Sequence, residues 1–266
     1  MAAIKKLTDR IYSDFLMPSR LQEYEVLLKT AMDAGYEICS IREFWRKIKS
    51  NQVNADSLYL ILRHDIDTDL KTAEEMWRVE KKLGVKSSYY FRLSTLDIRM
   101  MKEMEQFGTE ASYHYEEVAT LAKKFKWKNA KDVNEHLGQI SQTFINNLKF
   151  IRARSGLPLE IVASHGDFAN RKLGIANWIL LKDKKVREDS GIELEVYDDS
   201  FMKYVNTRHS DGSYPDFWKK NDPLKSIQDR SKVIYILVHP RQWKVRIAVN
   251  LRENLVRIME GIKYGL

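Results

Sequence analysis

The stretch Val233 to Val238 reads Val-Ile-Tyr-Ile-Leu-Val, an apolar run without a break. A strand with one wet face alternates polar and apolar residues. An unbroken run of this length is the habit of a strand buried on both faces, as in parallel sheets covered by helices. Leu58 to Leu62 repeats the pattern, and the text around these runs alternates with it. Leu21, Tyr24, Leu27, Leu28, Ala31 and Met32 fall at helical spacing before Gly35, and Tyr36 to Cys39 follows as a short strand. Ser40 and Glu43 form a capping-box pattern ahead of Phe44, Trp45 and Ile48. Leu70 to Leu83 predicts a helix closed by Gly84, and Ile98 to Phe107 one closed by Gly108. Strands are predicted from Val85 to Phe91, up to Tyr113-His114, over Ile161 to Ala163 and over Ile192 to Tyr197. Val133 to Ile151 predicts one long amphipathic helix, Ile175 to Leu181 another, and Ala248 to Ile262 the last. Strand and helix in turn define an α/β fold with a mostly parallel sheet wrapped by helices.

The chain has 266 residues, 44% of them hydrophobic, enough for one full core and the usual length of a single α/β barrel. We therefore expect one domain over residues 1–266, with residues 1–20 as an N-terminal extension. Lys and Arg number 45 against 37 Asp and Glu, a net charge of +8 that is spread along the chain. No nucleic-acid recognition motif accompanies this charge, so nucleic acid is not the expected partner, while a phosphate-bearing substrate is compatible with it. Cys39 is the sole cysteine, which excludes an intrachain disulfide and a cysteine-rich zinc site. No apolar run approaches the ~18 residues of a membrane span, and Met1 to Met17 lacks a signal-peptide core. A cytoplasmic protein is the expectation.

The residues with chemical potential gather where strands end: Asp65, Asp67, His114, His165, Asp199 and His239. In a parallel barrel those ends share one face, where active sites sit. In Arg63-His64-Asp65-Ile66-Asp67 the two carboxylates point the same way if the strand continues through them. Such a pair suits a metal site with a base beside it. Asp67 and His114 are the first two expected ligands of a divalent ion, for which zinc is the natural choice. Asp65 is placed to take a proton, and His239, from another strand, to give one. The set reads as metal-assisted hydrolysis of a carbonyl compound, although the carboxylates could instead cap the next helix or pair with Arg63. Trp243 and Tyr115 are candidates to stack on a sugar. Arg63, His64 and Asp199 complete the side chains expected to touch substrate.

Arg63-His64-Asp65-Ile66-Asp67, Tyr113-His114-Tyr115-Glu116 and Leu237-Val238-His239-Pro240 fall in the order and approximate spacing of the polysaccharide deacetylase family. This is the NodB-type group, carbohydrate esterase family four, and the flanking text resembles its RHD-x-D branch: Tyr36-Glu37-Ile38, Tyr197-Asp198-Asp199-Ser200-Phe201, and Ser210-Asp211-Gly212 with Trp218. The resemblance runs from about Tyr24 to Trp243. It implies a distorted (β/α) barrel with fewer than eight regular units and a metal-dependent hydrolase that removes an acetyl group from an N-acetylated sugar. It also implies Asp65 as base, Asp67 and His114 as metal ligands and His239 as acid. Two places depart from the family pattern: Val118 stands where a second histidine ligand is expected, and Ser164-His165-Gly166 stands roughly where an arginine-proline motif is usual. Glu117 and His165 are the candidates for the third ligand, with His165 preferred because it follows another strand. A nucleotide-linked or lipid-linked sugar precursor is the expected substrate. The alternatives are a saccharide-binding protein with an eroded metal site and another metal hydrolase cutting a ring amide or phosphoester.

Overall fold

The apolar run does form a strand with no exposed face. The computed structural model describes residues 2–219 and 221–264. Its strands are β1 (Tyr36–Cys39), β2 (Leu58–Ile66), β3 (Ser88–Phe91), β4 (Glu110–Tyr115), β5 (Ile161–Ser164), β6 (Leu194–Glu195), β7 (Thr207–Ser210) and β8 (Val233–Val238). They make one eight-stranded sheet in the order β6-β5-β4-β3-β2-β8-β7, with β1 added on β2. Every strand pairing is parallel. Strand β2 is central: β8 follows residues 59–64, while β1 takes residues 58–61 and β3 residues 63–66. The sheet curls into a half-barrel with helices outside, the distorted (β/α) barrel expected from the sequence.

Period-two alternation sorts side chains between the barrel interior and the helix layer. Along β2, Leu58, Leu60 and Leu62 pack outward with Tyr24, Leu28 and Met76. Tyr59 and Ile61 turn inward with Phe44, Tyr90, Phe201 and Tyr235. Strand β8 does the same, with Ile234, Ile236 and Val238 outward and Val233, Tyr235 and Leu237 inward. Leu60, Leu62, Ile234 and Ile236 are fully buried, and each stabilises the fold by about 1.5–3 kcal/mol. The inner row of β2 changes character toward its C-terminal end, from Tyr59 and Ile61 to Arg63 and Asp65. That change puts charge at one mouth of an apolar barrel.

Local signals explain most element ends. Ser40 and Glu43 form the capping box of the helix Ile41–Lys49. Gly84 and Gly108, at φ +71 and +95, close the helices Leu70–Leu83 and Ile98–Phe107 in the left-handed conformation. The long helix predicted from Val133 is two helices, Ala130–Glu135 and Leu137–Ser155. The break is at His136, whose Nδ1 donates to the Asp132 carbonyl at 2.7 Å and whose ring stacks on Trp127. That bond takes an acceptor the continuing helix would use. The helix expected over Ile175 to Leu181 is a short 3-10 helix, Asn177–Lys182, entered by Asn177, whose side chain bonds Ala119, His165 and Asn170. Strand β7, Thr-Arg-His-Ser, carries no strand pattern in the sequence. Its polar run is extended by pairing with β8, and His209 is fixed between the Asn221 carbonyl and Ser226.

The residues before Leu21 lie against the C-terminal helix Ile247–Tyr264. The helix Ala2–Ile11 leads into a wide turn, Tyr12–Leu16, that carries the buried Asp14. Asp14 accepts from Arg241 at 2.8 Å and Asn254 at 2.9 Å, and its carbonyl accepts from Asn250 at 2.8 Å. No helix among the described residues is long and apolar enough to cross a membrane.

Candidate active site

Asp67 was expected to continue strand β2 beside Asp65. Instead the strand stops at Ile66, and the Asp67 N–H folds back onto the Asp65 carbonyl at 3.0 Å. Thr95 Oγ1 donates to the Ile66 carbonyl and Arg92 to the Asp67 carbonyl, at 2.7 and 3.0 Å, so this turn is fixed from outside. The two carboxylates still converge. Asp65 Oδ2 and Asp67 Oδ1 lie 3.3 and 3.4 Å from His114 Nε2. His165 Nε2, after β5, lies 3.4 Å from the same Asp67 oxygen. Asp67, His114 and His165 thus offer three ligand atoms all within 4.8 Å of one another.

This donor set fits a divalent metal on three counts. Asp67 Oδ1 is buried with no hydrogen-bond partner, an orphan that a cation would satisfy. His114 Nδ1 donates to the Ala163 carbonyl at 3.0 Å, which fixes the tautomer and leaves Nε2 to ligate. One carboxylate and two imidazoles are a common zinc set with room for further ligands. His165 is oriented from behind: its Nδ1 lies 3.3 Å from Glu116 Oε2, and Arg92 grips both Glu116 oxygens at 2.9 and 2.7 Å. Burial works against the Glu116 charge, but His165 and Arg92 outweigh it and hold its carboxyl down at about 2. Glu117, the other candidate third ligand, points elsewhere. It is buried and accepts from Tyr113 at 2.6 Å and Asn147 at 2.9 Å. Val118 is fully buried in the apolar core outside the barrel.

Asp65 stands on one side of this cluster. Arg63, one pleat deeper, donates to both its oxygens at 2.7 Å and to Tyr235 at 2.9 Å. Burial pushes the Asp65 carboxyl up, yet Arg63, His114 and His239 together hold it below its ordinary value. For Asp67, burial is likewise overcome, by His165, His114 and His239, and its carboxyl lies well below the usual range. Both are anions at neutral pH. His239 stands on the other side. Its Nδ1 donates to Asp211 at 2.6 Å, and its backbone N–H donates to the second Asp211 oxygen at 2.7 Å. Burial would lower the imidazole, but Asp211 first, then Asp67 and Asp65, raise it to about 9. At neutral pH it carries a proton it can give away.

Asp65, Asp67, His114, His165 and His239 line one cleft of about 450 Å³, together with Tyr197, Arg171, Arg208 and Lys219. The five side chains expected to touch substrate lie elsewhere. Strand parity removes two of them. His64 faces the helix layer, stacked on Tyr89 and bonded to Tyr24 and Glu80. Tyr115 packs against Tyr113 and Phe144. Arg63 is inside but fully buried beneath Asp65. Trp243 is buried, packs on Tyr24 and Trp218, and donates its indole N–H to Asp211 at 2.9 Å. Asp199 is exposed at the start of the short helix Asp199–Met202, away from the cleft. Sequence reasoning passed over Asp211, Arg92 and the role of Glu116. Asp211 follows β7, whose polar run carries no strand pattern, so its place at a strand end gave no signal in the sequence.

Fold and side chains together define a parallel barrel whose open end holds a carboxylate–imidazole centre between a buried anion and a protonated histidine. No known family model matches the chain, and no curated protein matches it. Solved structures do. The Streptococcus pyogenes deacetylase PplD in complex with acetate aligns at 14% identity and TM-score 0.40, over 57% of this chain and 66% of that one. The catalytic domain of a peptidoglycan N-acetylglucosamine deacetylase from Eubacterium rectale aligns at 14% and 0.40, over 79% and 87%. A CE4 family pseudoenzyme from Bacillus anthracis aligns at 11% and 0.39, over 79% and 63%. This chain therefore spans just under two thirds of the S. pyogenes chain. These proteins are what it is similar to at low identity, and the functional case rests on the side chains.

Proposed function

We propose that the chain is a metal-dependent carbohydrate N-deacetylase, a hydrolase of a linear amide. The observation that carries this reading is the single cleft in which Asp67, His114 and His165 lie within ligand distance of one another, flanked by anionic Asp65 and protonated His239. Asp67, His114 and His165 would hold the ion. A bound divalent cation, zinc by its donor set, supplies polarisation of the acetamide carbonyl and acidification of water. Asp65 then accepts a proton from the attacking water, with Arg63 fixing its orientation. The water oxygen bonds to the acetyl carbon, the carbon–nitrogen bond breaks, and His239 Nε2 donates its proton to the departing amine. The products are acetate and a free amino sugar. Asp211 keeps the His239 ring aimed and charged until that step. Arg171, Arg208 and Lys219 in the cleft wall support a substrate carrying phosphate, as a nucleotide-linked or lipid-linked sugar does.

The test is acetate release by purified protein supplied with Zn, Co or Ni, from N-acetylhexosamine derivatives both free and diphosphate-linked. Release abolished by Asp65→Asn and His239→Ala in protein that still folds, at a lowered melting temperature because each variant breaks a buried charge pair, is the expected result. No release from any of them, together with no ion retained by chelator-free protein, would overturn the reading in favour of a saccharide-binding protein.

A further inference from the structure

A second groove, of about 750 Å³, runs from the cleft along the N-terminal helix, and Asp67 and His239 line both. Its far wall carries Arg10, Arg241 and Arg257. Arg241 is 9% exposed; one terminal nitrogen donates to Asp14 at 2.8 Å, and the other is buried with no partner. Arg10 lies 3.5 Å from the other Asp14 oxygen, so two guanidiniums share one carboxylate. Burial and the nearby charges of Arg241 and Arg10 disfavour the charged form of Arg257. Three cations held together in this way, with a donor left over, are what an anion relieves. Lys219 lines both grooves, and Lys5 and Lys6 add to the cations of the second, which also has the carboxylates of Asp9, Asp67, Asp211 and Asp216 in its lining.

We propose that this groove is a phosphate subsite, taking the phosphate or diphosphate that joins an acylated sugar to its carrier. The anion site stands on Arg241 and its neighbours; only the attached sugar rests on the deacetylase reading. The experiment is calorimetric titration of the full chain with inorganic pyrophosphate, with UDP-N-acetylglucosamine, and with a farnesyl diphosphate-linked N-acetylglucosamine in detergent. Pyrophosphate is expected to bind, and Arg257→Gln and Arg241→Gln to weaken it at least ~10-fold. Arg257→Gln is the safer variant, since Arg257 makes no pair with Asp14. Tighter binding of one sugar conjugate identifies the carrier as nucleotide or lipid. No pyrophosphate binding, or equal binding by wild type and a folded Arg257→Gln, would overturn the proposal. Pyrophosphate binding without acetate release would instead count against the deacetylase.

An independent observation concerns the C-terminal helix Ile247–Tyr264, which is amphipathic the wrong way round for a helix in water. Leu251, Leu255, Ile258 and Ile262 are 51, 52, 58 and 73% exposed, while Asn250, Gly261 and Tyr264 are buried. These apolar residues form one stripe. Polar bonds hold the opposite face to the body, from Asn250 to Asp14 and from Tyr264 to Trp127. The N-terminal helix, tied on by Arg10 to Asn254 at 2.9 Å, adds exposed Ile4 and Leu7. Arg252 and Lys263 border the stripe, and Lys5 and Lys6 follow Ile4. We infer that this face lies on an anionic lipid bilayer, with apolar side chains inserted and cations on the headgroups. Pairing with a second copy would set the same cations against each other. The test is co-sedimentation with vesicles of phosphatidylcholine alone or mixed with phosphatidylglycerol. Binding to the mixed vesicles that Leu251→Ser combined with Leu255→Ser and Ile258→Ser removes, without change in melting, is expected. A wild-type dimer that the triple variant dissociates, with no vesicle binding, would overturn the inference.

Discussion

Asp211→Asn tests the proposed acid half of the site without touching a proposed metal ligand. In the native protein His239 titrates at about 9 against an ordinary 6.5. At ~1.4 kcal/mol per pKa unit, that difference is about 3 kcal/mol of preference for the protonated ring in the folded state. Burial opposes the shift and Asp211 is its largest support, so the neutral amide should bring His239 down by most of that amount. The sign follows from linkage. A raised histidine stabilises the fold fully below its unfolded pKa of 6.5, and the contribution is lost as pH rises through about 9. In Asp211→Asn that contribution should shrink or vanish at every pH, and the pH at which His239 gives up its proton should fall toward or below 6.5. The substitution also leaves the Trp243 indole and the His239 amide with a weaker acceptor, at a cost of about 1–3 kcal/mol. The assay is a histidine-selective nitrogen-15 NMR titration of chelator-treated protein, with melting temperatures recorded at the same pH values. A wild-type midpoint near 6.5, or the same midpoint in both proteins, would refute the reasoning.

Glu116→Gln should weaken zinc binding about 10–100-fold by loosening His165, read by competition with a chromogenic chelator, while the fold is kept. His165→Ala should do more, leaving two protein ligands; unchanged affinity would mean the third ligand is another group. Arg63→Met leaves the Asp65 charge buried and unpaired, and chemical denaturation should show a loss of about 3–5 kcal/mol. Val118→His puts an imidazole where the side chain is buried among apolar neighbours. It should lower the melting temperature and leave zinc affinity unchanged, and tighter binding would show that Val118 faces the centre.

The fold was legible because its central strands are so apolar. Leu58 to Leu62 and Val233 to Val238 have no wet face, and helix caps at Ser40, Gly84 and Gly108 mark their neighbours. Strand β7 was not legible, since Thr-Arg-His-Ser carries no burial pattern and owes its extension to β8. The residues that converge on the centre could be named because each sits at the end of a strand. The wall of the cleft could not, because strand parity and polar text hide it. Counting by twos from Asp65 puts His64 on the outer face, and counting by twos from His114 does the same for Tyr115. The cations that do line the cleft, Arg171, Arg208 and Lys219, sit in polar text indistinguishable from solvated surface.

The links from Asp67 to His165, His165 to Glu116, Glu116 to Arg92 and Arg92 back to the Asp67 carbonyl form a closed circuit. His114 stands apart, fastened to the sheet through the Ala163 carbonyl. One guanidinium, that of Arg92, thus steadies two of the three candidate ligand positions, Asp67 through its carbonyl and His165 through Glu116. A substitution at Arg92 should therefore disturb both positions at once, where Glu116→Gln disturbs only one.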